Sequence, residues 1–150
     1  MTNRLIIPLL CAASLAFARA TTSHKETLAS TSKNHDSRAA LTSKFTVNSN
    51  HGVELNLDVR NNTTKMAELE FANGQTHDFV VTDESGKEVW RWSAGRMFTQ
   101  AMQNKLVKGR ETATFGEFWD AKDVHGKFTA TATLLSENHP VVEMVEFELK

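Results

Sequence analysis

Over residues 53–60 every second side chain is apolar: Val53, Leu55, Leu57 and Val59 alternate with Glu54, Asn56, Asp58 and Arg60. A period of two sends one set of side chains to each side of an extended backbone, so this stretch is a half-buried strand and not a helix. The pattern returns along the chain. Ala67, Leu69 and Phe71 alternate with Glu68 and Glu70, Phe79 and Val81 share a face of 77–83, and Phe128, Ala130, Ala132 and Leu134 alternate with Thr129, Thr131 and Thr133. Residues 89–92 and 112–119 add two short runs, the second with Phe115 as a buried anchor, and Val145, Phe147 and Leu149 stay in phase near the end. Between the runs stand Asn61-Asn62-Thr63, Asn73-Gly74, Ser85-Gly86 and Asn138-His139-Pro140, all with turn chemistry; Asn73-Gly74 predicts a tight turn at positive φ. About seven short strands with no long helix predict an all-β antiparallel β-sandwich, a small closed barrel being the alternative architecture. Val53, Leu57, Leu69, Phe79, Phe115 and Phe128 are the expected core.

Alternation fails after Ser93. Ala94-Gly95 is small and permissive, and Phe98, Ala101 and Met102 stand at helical spacing, which predicts a loop with a short helical turn before Lys108-Gly109.

The first twenty residues have a different logic. Arg4 supplies a positive start, residues 5–17 are apolar apart from Pro8 and Ser14, and Ala18-Arg19-Ala20 has the small-x-small form of a cleavage site. The apolar run is shorter than the roughly 20 residues a membrane span needs. A signal peptide over 1–20 is therefore expected, with a secreted or periplasmic chain starting at Thr21 and no stable membrane span after cleavage. Nine of residues 21–42 are Ser or Thr, and such a composition cannot bury enough surface to offset its ordering. Residues 21–43 are read as a flexible linker and 44–150 as the folded domain.

Cys11, the only cysteine, lies inside the expected leader, so the mature chain has no disulfide, thiolate metal site or cysteine nucleophile. Without Arg4 and Arg19, 15 basic residues stand against 18 acidic ones, a formal charge of −3. With no run of Lys and Arg, nucleic acid is not an expected partner. No two of the six histidines lie within four positions of each other, so local His ligand spacings are absent and neither a metal nor another cofactor is expected. Ser93 lacks a nucleophile-elbow context, and Glu54, Asp58, Glu68 and Glu70 fall on outward strand positions. An enzyme is not indicated. Trp90 and Trp92 share one strand face, where packing on the core is the ordinary role and an exposed aromatic platform the other.

Residues 75–102 carry QTHDFVV, SGKEVWRWS and MFTQAM in one continuous order, followed by KGRETATFGEFWD at 108–120 and GKFTATATL at 126–134. In order, spacing and aromatic identities these segments resemble the BsuPI-type intracellular proteinase inhibitor family, with Lys108 where the family has Pro and Phe128 where it has Tyr. The resemblance implies an immunoglobulin-like sandwich and inhibition of a serine proteinase in a bacterial cell. The leader moves the expected partner outside the cytoplasm: an extracytoplasmic serine protease, or another envelope protein. On this reading residues 93–99 form the contact, with Arg96, Met97 and Phe98 as protease-contact candidates and Trp90 and Trp92 as loop supports. The other functional class is a non-inhibitory cell-envelope module that binds a protein or glycan.

Overall fold

Residues 40–150 are described by a computed structural model, and the expected leader and most of the expected linker lie outside them. Among the described residues there are nine strands and no helix, and hence no helix long and apolar enough to cross a membrane. The strands are β1 (Leu41–Asn48), β2 (Val53–Asn61), β3 (Ala67–Phe71), β4 (His77–Asp83), β5 (Glu88–Arg91), β6 (Gln103–Val107), β7 (Thr112–Trp119), β8 (Gly126–Leu134) and β9 (Val141–Leu149).

All pairing is antiparallel. The order β1-β2-β7 makes one sheet, β5-β4-β8-β9 a second, and β3 pairs with β6 in a separate two-stranded ribbon. The central strand of the first sheet, β2, buries Val53, Leu55, Leu57 and Val59. Facing it across the sandwich, β4 and β8 bury Phe79, Val81, Ala130, Ala132 and Leu134. In the β4–β8 ladder Phe79 pairs with Ala132 and Val81 with Ala130, so each large side chain has a small neighbour and the layer fills without crowding. Rings span the gap between the sheets: Phe45 stacks on Phe79 at 5.7 Å, and Trp119 meets the edge of Phe128 at 6.2 Å. The edge strands β1 and β9 are joined by Ser43 Oγ donating to Glu143 Oε1 at 2.6 Å. The all-β sandwich and its six expected core residues are as the alternation requires, each of the six at most 6% exposed.

Four local expectations are corrected. The strands number nine: β1 begins at Leu41, ahead of the expected domain start at Lys44, and β6 follows the loop after Ser93. Neither shows clean alternation, since β1 fully buries only Phe45 and β6 only Val107. The helical spacing of Phe98, Ala101 and Met102 forms no helical turn; residues 92–95 are turns, and an irregular run leads into β6. Finally, Asn73-Gly74 is not a tight hairpin turn. It connects β3 and β4, which lie in different sheets, and Gly74 is not at positive φ. What this position requires is a close approach: a Cβ on Gly74 would lie 2.6 Å from Thr99 Oγ1.

Asn61 is wholly buried where three segments converge. Its Nδ2 donates to Lys65 O at 2.8 Å and Val107 O at 3.0 Å, and its Oδ1 accepts from Thr63 N at 3.0 Å and Thr63 Oγ1 at 2.8 Å. Every hydrogen-bonding position of the amide is used, so a polar side chain sits in the interior without penalty.

Candidate functional site

The loop from Trp92 to β6 is fastened at both ends. At its start, Trp92 N donates to Phe79 O at 2.9 Å, and Ser93 binds the buried Asp78 twice, N to Oδ1 at 3.2 Å and Oγ to Oδ2 at 2.9 Å. Asp78 Oδ2 also takes Arg91 Nη1 at 2.7 Å, and Arg91 Nη2 reaches Glu88 Oε2 at 2.7 Å. A carboxylate that is only 7% exposed is thus compensated by a cation and two further donors. At the far end Gly74 N donates to Thr99 O at 2.8 Å, and Thr99 Oγ1 stands where it excludes a side chain at position 74.

Between these ties the chain turns on itself, with Ala94 N to Arg91 O at 3.3 Å and Arg96 N to Ser93 O at 3.1 Å. Gly95 lies at φ 73°, the left-handed region that a residue without Cβ enters freely. The three contact candidates have different surroundings. Arg96 folds back, its Nε donating to Trp92 O at 2.8 Å and its guanidinium carbon 4.8 Å from the Trp92 ring centre. Phe98 is half-buried, its ring 5.5 Å from Trp92. Met97 is 98% exposed.

Of the two expected supports, Trp92 touches the loop. It is 9% exposed, with Arg96 and Phe98 against it and the His77 ring stacked on it at 4.3 Å. Trp90 instead stacks on Trp119 at 5.8 Å, bridging the two sheets.

The sequence marks Ser93 only as the start of the contact segment, and it gives His77, Asp78 and Gly74 no part in this arrangement. Only Asp78, within the Asp-Phe pair of the family-like segment, carried a signal; a hydrogen bond from Ser93 back to β4 leaves no trace in spacing.

His77 is 8% exposed under Trp92, Phe79 and Phe115. Its Nε2 faces the acceptor-only Glu117 Oε1 at 3.3 Å, which places the proton there and leaves Nδ1 to accept from Thr76 Oγ1 at 3.0 Å. Burial pulls its pKa below the usual 6.5; Glu117 and Asp78 partly oppose this, and Arg96 adds to it. A histidine that folds neutral must be charged in the unfolded chain at mild acidity, so the unfolded state binds more protons below pH 6.5. The expected result is stability that is full above that value and declines as pH falls below it. His77→Phe should flatten this decline when urea midpoints are compared between about pH 7 and about pH 5. Parallel profiles for the two proteins would exclude His77 as the source.

Among the described residues no group of three or more His, Cys, Asp or Glu side chains is placed to hold a metal ion.

Comparison with known proteins gives weak structural likenesses and one family. A β-glucosidase from Erythrobacter marinus is 12% identical with a TM-score of 0.36, over 72% of this chain and 16% of that one. β-Glucosidase 3B from Thermotoga neapolitana is 10% identical with a TM-score of 0.38, over 73% and 16%. A protein from Archaeoglobus fulgidus is 9% identical with a TM-score of 0.33, over 74% and 93%. This chain therefore spans about one sixth of each glucosidase, and likenesses this weak say nothing of its activity. No curated protein matches its sequence. Residues 40–139 match the family described as BsuPI, intracellular proteinase inhibitor, a stretch that contains β1 through β8 and the whole fastened loop. By that match the chain belongs to the BsuPI family of intracellular proteinase inhibitors.

Proposed function

We propose that the chain is exported and inhibits an extracytoplasmic serine protease through the loop at residues 93–99. The observation that carries this reading is a loop tied down on both sides of an almost wholly exposed side chain, Met97. A segment already ordered before binding loses little conformational entropy in a protease cleft, and this is what separates a tight inhibitor from a substrate. Membership of a proteinase inhibitor family supplies the activity class. Export rests on the sequence of residues 1–20, and it separates this chain from the intracellular setting in the family's description.

The test is a titration of the purified protein against a panel of secreted serine proteases, with residual activity followed at protease concentrations near that of the inhibitor. Stoichiometric loss of activity, with the loop uncut after prolonged incubation, is the expected result. Complex formation on a sizing column without loss of activity would favour the non-inhibitory envelope module instead. N-terminal sequencing of the exported chain should begin at Thr21, and a cytoplasmic chain that keeps Met1 would remove the extracytoplasmic part of the proposal.

A further inference from the structure

Resting on the reading of residues 93–99 as the inhibitory contact, we infer that Met97 alone enters the primary specificity pocket of the protease, and that this pocket is apolar. Arg96 and Met97 both stand at the outer end of the loop, and the sequence does not choose between them. The choice matters, because an arginine in that role selects a protease with a carboxylate at the base of its pocket, whereas a methionine selects an apolar one.

The structure separates the two by what each side chain is already doing. Arg96 is committed to its own loop through the Trp92 O bond at 2.8 Å and the stack on the Trp92 ring at 4.8 Å. Extending it into a partner would break both and expose the indole face it covers. Phe98 is held against the same indole at 5.5 Å. Met97 stands between them, 98% exposed, and can enter a pocket without breaking a contact of the loop. Met102, 70% exposed, lies past the Thr99 tie and next to β6, outside the fastened stretch. Arg96 is thus a positioning residue: it braces the backbone that presents its neighbour.

The thioether chain is unbranched and polarizable, so it fits an irregular apolar pocket without a fixed shape requirement. In a pocket with a buried carboxylate at its base, the same side chain would leave that charge without a partner.

The experiment uses the full mature chain and its variants against subtilisin and chymotrypsin, whose pockets are apolar, and trypsin, whose pocket holds an aspartate. Wild type should inhibit an apolar-pocket protease in preference to trypsin. Met97→Gly should raise that inhibition constant at least about 30-fold, the scale of an interface hot spot, while Met97→Leu stays within about tenfold of wild type. Met97→Lys should shift the preference toward trypsin. Because Met97 makes no core contact, all three variants should melt as wild type does, which removes misfolding as an explanation. Arg96→Ala should weaken inhibition without changing which protease is preferred. Inhibition that is insensitive to Met97, or a trypsin preference that disappears with Arg96→Ala, overturns the inference while leaving the inhibitory loop in place. Failure of wild type to inhibit any serine protease overturns the underlying reading, and the inference with it.

Discussion

Phe79→Ala is expected to lower the stability of the domain by about 3–5 kcal/mol. The ring is fully buried on β4, the strand that lies between β5 and β8 in its sheet. It stacks on Phe45 from the opposite sheet and meets the edge of His77 at 5.2 Å. Its ladder partner Ala132 has no side-chain length with which to fill the space, so the void persists and the penalty falls near the upper end of the range. Against typical domain stabilities of roughly 5–15 kcal/mol, such a loss leaves a substantial unfolded fraction. Urea denaturation with an unchanged m-value is the measurement. A loss below about 1 kcal/mol would mean that the neighbouring rings close the space, contrary to the packing described.

Asn61→Leu should cost about 2–5 kcal/mol, although it exchanges a polar side chain for an apolar one of similar size at a fully buried position. The reason is accounting, not volume. The substitution removes the donors to Lys65 O and Val107 O and the acceptor of Thr63 N and Oγ1; Lys65 O and Thr63 Oγ1 keep their bond to each other at 3.0 Å, whereas Val107 O and Thr63 N lose their Asn61 partner. Each buried group left without its partner costs about 1–3 kcal/mol. The damage should be local before it is global, because Asn61 ties the end of β2 to the end of β6. Amide exchange in β3 and β6 should accelerate more than in β4 and β8; uniform acceleration would mean that Asn61 supports the whole sandwich equally.

The contrast between these residues shows what the sequence discloses. Strands buried on one face announce themselves by alternation, and β2, β4 and β8 were legible for that reason. Alternation names a face, however, and not a neighbour: nothing local in Leu69 or Phe71 indicates that β3 pairs with β6 across the intervening β4–β5 hairpin. Strands at the margin write weaker patterns. The segment at 103–107 is exposed at four of its five positions because only one end of it reaches the core, so it reads as loop. The site shows the same division. The break in alternation after Ser93 located the loop, and Gly95 marked its turn. Which of Arg96 and Met97 is free is decided by a hydrogen bond to Trp92 O and a stack on the Trp92 ring, and contacts between a side chain and a residue four positions away have no signature in the composition or period of this stretch.

The long reach of these pairings governs how the fold can be made. β1–β2 and β4–β5 are local hairpins, but β2 must wait for β7, which pairs Val53 with Trp119, and β3 must wait for β6. Leu149, at the end of β9, is itself buried and sits opposite Gly126. Chain closure over such separations is entropically expensive before the contacts that reward it exist, so the rate is set by topology and should fall in the millisecond-to-second range of sandwich proteins, well below that of helical domains. On a ribosome this sandwich cannot complete its core before β9 is made: with β9 still unsynthesised, β8 lacks its outer partner, and the domain has to remain incompletely assembled until that strand emerges.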